Sequence, residues 1–257
     1  MRIALLSDIH GNPMALDAVL ADIQAQGEVD AYWVLGDMAA LGYDPAGAIE
    51  RIAALPNARF VRGNTDRYTV SSDLPFTVEY VLEHPRLLPR TLNLVRDMGW
   101  TQGMVTAAGK LQWLKDLPLE QRLTLPDGTR LLGVHAAPGT DDGDGIHPKQ
   151  SDDELRAILA GCEADLIFVG HTHVALDRTV DTIRVVNLGS VSLPFTPDLR
   201  ASYVLLDANT SGYQLEMRRV EYDREAVLAK IRESGRPAGE FISQMIRGET
   251  LSRWLQP

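Results

Sequence analysis

The sequence has a single cysteine, Cys162, and no apolar run of the length that a membrane helix requires. One cysteine excludes an intrachain disulfide framework and favours a reducing compartment. Near the amino terminus, the apolar run at residues 3–6 is too short for the core of a secretory signal peptide. We therefore expect a cytoplasmic protein that neither crosses a membrane nor is exported.

Basic residues are also scarce, because 25 Lys and Arg face 35 Asp and Glu, which gives a formal net charge of −10. Such a charge repels the phosphate backbone of nucleic acids and anionic lipid surfaces. The composition thus argues against broad nucleic-acid binding and favours a small ligand as the partner. It leaves homo-oligomerisation open.

The first part of the chain alternates between short apolar runs and helical patterns. The apolar runs lie at residues 3–6, 32–35 and 60–61, and each ends in polar residues or glycine, as buried strands that lead into loops do. An Asn or Asp followed by Pro precedes each of two intervening helical patterns, at residues 14–25 and 45–55, and supplies an N-cap. This order predicts three neighbouring strands of a parallel sheet.

A second set of strand patterns begins halfway along the chain. A capping box at Ser151 predicts a helix that ends near residue 160, between the first two strands of this set. The five strand patterns lie at residues 130–134, 166–169, 184–186, 203–206 and 213–220.

Two segments lack strand patterns. Residues 67–127 show no alternation, so we expect a mostly helical, cap-like insertion within a single domain that spans residues 1–257. Residues 221–257 are expected to form a helical tail that is interrupted near Gly235, with Trp254 as an anchor for its end.

Polar side chains that suit metal ions follow five of the predicted strands. Because the carboxyl ends of parallel strands meet at one edge of a sheet, we expect these side chains to share one rim. Imidazole and carboxylate groups bind Mn, Fe, Zn, Ni and Co, whereas the absence of thiolates argues against a closed structural zinc site. Seven candidates are too many for one ion and suit two divalent ions that share a bridging carboxylate, with Mn favoured. The candidates are Asp8, His10, Asp37, Asn64, His135, His171 and His173.

In their order, these blocks resemble the calcineurin-like metallophosphoesterase superfamily. Its pattern runs Asp-x-His, Gly-Asp, Gly-Asn-His-Asp/Glu, a lone His and Gly-His-x-His, and the match covers residues 1–66 and 130–195. The resemblance implies an α/β fold, a four-layer α/β/β/α sandwich of two mixed sheets flanked by helices. It also implies that Asp8, His10, Asp37 and His173 hold one metal, and that Asp37, Asn64, His135 and His171 hold the other, with Asp37 bridging.

The chain departs from this pattern at Thr65. Much of the superfamily has there a His that orients phosphate or protonates the leaving group. Similar substitutions mark a branch of small bacterial and archaeal phosphodiesterases, which the segment at residues 187–191 also resembles. The source of the leaving-group proton is thus left open. Asp66 is a candidate acid, and the alternative is that it braces the loop.

The resemblance implies hydrolysis of a small phosphodiester or phosphomonoester, a nucleotide being one option. A hydroxide that bridges two divalent cations would attack phosphorus. We expect Asp37, Asn64 and Asp66 to be catalytic. The alternative is a non-catalytic metal-binding scaffold or regulatory module on the same fold, although the complete ligand set favours an enzyme. The negative charge and Thr65 argue against DNA or phosphoprotein as the substrate.

Residues that would contact the substrate are less clearly indicated. Arginines near the Gly-Asn block suit phosphate oxygens, and the glycine-rich loop at residues 139–145 brings a histidine near the rim. Aromatic residues of the insertion, Phe76, Tyr80, Trp100 and Trp113, offer a base-stacking wall, although we prefer ordinary helix packing. The expected substrate contacts are Asn12, Arg62, Thr65, Arg67, His147 and Ser190.

Overall fold

A computed structural model describes residues 1–71, 73–74, 76–250, 252–253 and 255, and the structural statements below refer to these residues. Strands β1 (Arg2–Leu6), β2 (Ala31–Leu35) and β3 (Ala58–Val61) run parallel, as predicted. The second set comprises β4 (Glu120–Thr124), β5 (Arg130–Val134), β6 (Leu166–Val169), β7 (Leu176–Val180), β8 (Ile183–Asn187), β9 (Ala201–Asn209) and β10 (Gly212–Val220).

These strands form two five-stranded sheets, ordered β10-β9-β1-β2-β3 and β4-β5-β6-β8-β7. In the first sheet, β9 and β10 form a hairpin that pairs antiparallel with β1. In the second, β5, β6 and β8 are parallel, while β4 and β7 pair antiparallel at the two edges. Both sheets are therefore mixed.

Alternation along β1 shows how the layers are built. Ala4 and Leu6 pack on one face against helices, whereas Ile3 and Leu5 pack on the other face against the second sheet. Helices α1 (Pro13–Ala25) and α2 (Pro45–Ala53) cover the outer face of the first sheet, and Asn12 and Asp44 cap them as predicted.

The segment between the sheets is helical over only part of its expected length. It contains α3 (Asn64–Val70), α4 (Val78–Glu83), α5 (Leu88–Ala107) and α6 (Leu111–Lys115). The expectation of a helical insertion up to residue 127 is wrong at its end, because Glu120–Thr124 is the edge strand β4. An edge strand needs few apolar residues, and β4 carries only Leu123 toward the core. That is too short a pattern to read as alternation.

Helix α7 (Asp152–Leu159) covers the outer face of the second sheet and starts at the capping box of Ser151. The four-layer α/β/β/α sandwich is thereby confirmed. The tail forms α8 (Arg224–Ser234) and α9 (Gly239–Ile246), separated at Gly235, whose φ of 62° is the left-handed conformation of a helix end. Trp254 lies outside the described residues. Among the described helices, none has the length and apolarity that crossing a bilayer demands.

A buried ion pair joins the tail to the insertion. The Arg236 guanidinium and the Asp97 carboxylate of α5 are both fully buried, and Arg236 Nε donates to Asp97 Oδ1 at 2.9 Å. The same guanidinium lies 4.9 Å from the ring of Trp100 and also donates to the Gly42 carbonyl. This contact fixes α9 beside α5, and both helices border the site described next.

Candidate metal centre

The strand ends present the candidate ligands from a strained backbone. Each follows the carboxyl end of β1, β2, β3, β5 or β6, as the sequence predicted. A left-handed backbone in a residue with a side chain costs of order 1–3 kcal/mol and persists only where the surrounding structure imposes it. Five of the candidates have this conformation: Asp8 (φ 58°), His10 (49°), Asp37 (54°), His171 (66°) and His173 (58°).

Two glycines that adjoin candidate ligands are required because the loops approach each other closely. A Cβ atom at Gly63 would overlap the Asp37 carboxylate, and one at Gly170 would overlap the side chains of Ser7 and Asp8. The loops after β1, β2, β3 and β6 therefore pack against one another only because these positions have no side chain.

Four side chains converge in a first cluster. Asp8, His10, Asp37 and His173 are buried, and one ligand atom from each lies within 4.8 Å of the others. The Nε2 atoms of His10 and His173 are 3.2 Å apart, and His173 Nε2 lies 3.1 Å from Asp8 Oδ1. His10 Nε2 lies 3.6 Å from Asp37 Oδ2.

Hydrogen bonds to backbone carbonyls assign the histidine tautomers. Nδ1 lies 3.0 Å from the Ala40 carbonyl in His10 and 2.5 Å from the Leu193 carbonyl in His173. A carbonyl only accepts, so in each neutral ring Nδ1 carries the hydrogen and Nε2 presents a lone pair to the cluster. Asp8 Oδ1, which faces these lone pairs, is buried without a hydrogen-bond partner. Opposed lone pairs in a buried site fit a cation.

A second cluster adjoins the first through Asp37. Asn64 Oδ1 lies 3.1 Å from both His135 Nε2 and His171 Nδ1. The other ring nitrogens meet the carbonyls of Leu35 and Gly143, at 2.7 Å and 2.9 Å. As in the first cluster, acceptor atoms face one another.

The two oxygens of Asp37 point to different clusters. Oδ2 faces His10, as given above, whereas Oδ1 lies 3.5 Å from His135 Nε2. The Thr65 backbone N–H also donates to Oδ1 at 2.9 Å. This is the position that a carboxylate shared between two ions would occupy.

Electrostatics shows that the rim attracts positive charge. Burial lowers the pKa of His135, but the Asp37 carboxylate outweighs this effect and raises the pKa to about 10. Burial likewise opposes protonation of His173, and Asp8 outweighs it, so that the pKa of His173 is raised. In His10, burial prevails and lowers the pKa to about 4. The carboxylates thus draw in cationic charge, which divalent metals can supply.

Asp66 lies behind Asp37 rather than in the cavity. Its fully buried carboxylate accepts the backbone N–H groups of Asp37 (2.8 Å), Met38 (2.9 Å) and Gly63 (3.0 Å). Burial and repulsion from Asp37 raise its pKa to about 7, while these N–H groups oppose the increase. The contacts are those of a brace that joins the loops after β2 and β3, which was one of the two roles expected.

The two arginines expected to bind phosphate are held by carboxylates. Arg62 Nε donates to Asp141 Oδ2 at 2.8 Å, and Arg67 donates to Asp141 at 3.1 Å and to Asp142 at 2.8 Å. The loop after β5 is thus tied to α3. A phosphate group would have to compete with these carboxylates for either guanidinium.

Asn12 and Ser190 serve the architecture of the rim. Asn12 Oδ1 caps α1 by accepting the Ala15 N–H, and its Nδ2 donates to Ser192. The buried Ser190 hydroxyl donates to the Asp8 carbonyl and accepts the Leu193 N–H. Both side chains connect the loop that carries Asp8 with the loop after β8, whose Leu193 carbonyl lies against His173 Nδ1.

Of the two remaining residues that were expected to contact the substrate, Thr65 lines the cavity described below and His147 does not. His147 is buried in the loop after β5, where its N–H donates to Gln150 Oε1 at 2.9 Å, and it is absent from the described lining of the cavity below. Thr65 lines that cavity, and its hydroxyl is buried without a hydrogen-bond partner.

A cavity of about 910 Å³ opens beside Asn64 and His171. Of the four aromatic residues of the insertion that might stack on a base, Phe76 lines it. Trp113 instead packs edge-on against Phe60, Trp100 lies under Arg236, and Tyr80 stacks on Phe76. Residues that the sequence did not single out form the rest of the wall, including Arg90, Leu94, Met98, Phe195 and Phe241.

Comparison with known proteins agrees with this architecture. The calcineurin-like phosphoesterase superfamily domain matches residues 1–211. The structure of a hypothetical protein from Pyrococcus horikoshii OT3 is similar with a TM-score of 0.79 and 26% identity, covering 95% of this chain and 97% of that one. A metallophosphoesterase from Sphaerobacter thermophilus gives 0.75 and 26%, covering 96% and 98%. An uncharacterized protein of Methanocaldococcus jannaschii is 28% identical over 247 residues, 89% of this chain and 91% of that protein.

Proposed function

Because the chain belongs to the calcineurin-like phosphoesterase superfamily, we propose that it hydrolyses a small phosphodiester or phosphomonoester with two divalent cations, Mn²⁺ being favoured. The observation that carries the proposal is the set of opposed lone pairs at the rim. When the rings are neutral, imidazole nitrogens and carboxylate oxygens face one another there, and Asp8 Oδ1 has no hydrogen-bond partner. Such an arrangement is costly in a buried site unless cations occupy it.

In this proposal the chain positions the charges and the substrate. Asp8, His10, Asp37 and His173 hold one cation, and Asp37, Asn64, His135 and His171 hold the other. Two such ions would neutralise phosphoryl oxygens and lower the pKa of a water molecule. The backbone carbonyls that accept from Nδ1 of His10, His135 and His173 keep each Nε2 directed at the ions.

Around the ions, Thr65 offers a hydroxyl that has no partner within the protein. It can donate to a phosphoryl oxygen, but its pKa does not suit it to protonate a leaving group. Asp66, the other candidate acid, is engaged with three backbone N–H groups. The enzyme should therefore prefer esters whose leaving groups depart without a proton, such as aryl diesters.

The proposal is tested by purifying the protein, measuring its metal content, and assaying aryl phosphate esters with Mn²⁺, Ni²⁺, Zn²⁺ and Fe²⁺. Hydrolysis should depend on metal and should be abolished in Asp37→Ala and in His135→Ala. Aryl diesters should be hydrolysed faster than phosphoserine peptides. Survival of activity in both variants would contradict the assignment.

Metal content and turnover, measured on the same samples, separate an enzyme from a binding module. A scaffold would bind two ions per chain and hydrolyse none of the esters.

Our proposal also retains a cytoplasmic location, for which the single cysteine is the supporting observation.

A further inference from the structure

Part of the wall of the cavity is apolar. We call this part the aromatic chamber and define it by six side chains, three from the insertion, one from the loop after β8 and two from α9. They are Phe76, Leu94, Met98, Phe195, Phe241 and Met245. Phe241 is 37% exposed although it carries a large apolar ring, so this wall is open to a ligand.

The aromatic chamber is continuous with the proposed metal site. Asn64 and His171, two candidate ligands, line the same cavity as Leu94 and Phe241. Phe195 stacks on the His173 ring, with centroids 4.4 Å apart and an angle of 12° between the planes. A phosphoryl group at the rim would therefore have one of its substituents directed along this wall.

Thr65 stands where the cavity meets the rim. Its side chain is shorter than the imidazole that the superfamily pattern places there. A threonine thus fills less of the space beside Asn64 than an imidazole would. Met98 and Tyr68, which also line the cavity, pack together.

The guanidinium of Arg90 lies between two rings of the chamber. The Arg90 guanidinium lies 6.0 Å from the ring centroid of Phe76 and 5.8 Å from that of Phe241. Arginine planes and phenyl rings both favour flat aromatic partners. The mouth of the chamber therefore offers stacking surfaces as well as apolar area.

We propose that the substrate carries a planar aromatic group on its phosphoryl centre, an aryl ring or a nucleobase, and that the aromatic chamber binds this group. The proposal rests on the proposed phosphoesterase function and specifies its substrate class. A volume of about 910 Å³ is in the range of pockets for drug-sized ligands, much larger than a phosphate ion needs.

Binding of two phosphonates that cannot be hydrolysed tests the proposal without relying on turnover. Methylphosphonate and phenylphosphonate differ only in the group on phosphorus, and calorimetric titration into the Mn²⁺-loaded protein gives both dissociation constants at a pH where both are dianions. Burying the ring should make phenylphosphonate bind about 10- to 100-fold more tightly. Equal affinities would overturn the proposal, and binding of neither would overturn the proposed function with it.

Variants locate the effect. Phe241→Ala and Leu94→Ala should each reduce the preference for phenylphosphonate several-fold and leave methylphosphonate affinity unchanged. Leu92→Ala is the matched control, because Leu92 lies on the same helix as Leu94, is 46% exposed and does not line the cavity. A preference that survives in both chamber variants, each shown by thermal unfolding to be folded, would overturn the assignment to this wall.

Turnover then distinguishes the two sources of the ring. The hexafluoroisopropyl esters of methylphosphonate, phenylphosphonate and thymidine 5′-phosphate share one activated leaving group, which has no aromatic ring. A higher kcat/KM for the phenyl ester identifies a simple aryl ester as the substrate type, and a still higher value for the thymidine ester identifies a nucleotide. Equal values for all three would contradict the proposal, while hydrolysis of the methyl ester alone would keep the phosphoesterase function intact.

Discussion

The rim of candidate metal ligands and the aromatic chamber adjoin at one cavity, which Asn64 and His171 also line, and the two regions are built in different ways. The rim consists of polar side chains at strand ends, and of its seven candidate ligands five are buried and five have a left-handed backbone. The chamber consists of apolar side chains from α5, α9 and the loops beside them, of which Phe241 is exposed and the others are half-buried or buried. In this fold, the sheets fix the groups suited to chemistry, whereas the outer helices shape the space for the rest of the ligand.

The contacts that hold the rim together also differ from those that hold the chamber together. The loops of the rim are joined by several hydrogen bonds, including the three that Asp66 accepts. The insertion and the tail, which both contribute to the chamber, are joined by the buried Asp97–Arg236 pair. Damage to the rim should therefore affect the chemistry, and damage to the chamber should affect specificity and stability.

The largest effect is expected from Asp8→Asn. This change removes a charge from the rim with little change in shape, so metal-dependent hydrolysis should fall by about 10³-fold, equivalent to about 4 kcal/mol of transition-state stabilisation. Steady-state kinetics and metal analysis would measure the loss. Asp177→Asn, which affects a surface carboxylate paired with Arg184, is the control and should retain full activity. Undiminished turnover in Asp8→Asn would remove Asp8 from the site.

Arg236→Met tests the join between tail and insertion. It leaves the Asp97 carboxylate buried without its partner, so the free energy of unfolding should fall by about 3–5 kcal/mol. Denaturant titration measures this change. Adding Asp97→Leu should restore much of the loss, because the double variant buries no unpaired charge. Mn²⁺ affinity should remain unchanged in both, and a parallel loss of metal binding would show that rim and chamber are not separate.

Withdrawal of metal should lower stability by a smaller amount. At a free Mn²⁺ concentration 100 times the dissociation constant, binding stabilises the folded state by about 2.7 kcal/mol. For a chain of this size, chelation should then lower Tm by roughly 5–10 °C. Thermal unfolding with and without a chelator measures the shift. The same experiment on Asp8→Asn should give a smaller shift, and an equal one would place the stabilising ion elsewhere.

The smallest effect is expected where rim and chamber meet. Thr65→Val removes a buried hydroxyl that has no partner and keeps the side-chain shape, so stability should stay the same or rise by up to about 1 kcal/mol. If the hydroxyl donates to the substrate, kcat/KM should fall about tenfold. In contrast, Thr69→Val removes a hydroxyl that donates to the Thr65 carbonyl at 2.8 Å, and it should lower stability. Unchanged kinetics in Thr65→Val would exclude a role for the hydroxyl.

The rim could be predicted from sequence because its signals are local. Each candidate ligand stands within a few residues of an apolar run, and the superfamily pattern orders the blocks along the chain. Strand β7 (Leu176–Val180) was missed, and β4 was expected to be helical, because both are edge strands that need little apolar sequence.

The chamber could not be predicted, since it depends on which helices meet. The sequence predicted a helical tail but did not say what its apolar side chains would contact. Likewise, the positions of Arg62 and Arg67 suggested phosphate ligands, and the structure pairs both with Asp141, which is remote in sequence. The chamber lining and the pairing of both arginines thus depend on contacts between segments that are distant in sequence.

The left-handed backbone at five of the ligand positions has a consequence for how ions enter and leave. Folding of the surrounding sheets supplies the free energy that imposes this conformation, so none of it has to come from the ion. If the proposed ions bind there, the site is a preorganised receptor whose loops would need no rearrangement when one ion replaces another. Exchange among ions of similar size should follow their abundance and ligand preference, while the protein keeps one shape throughout.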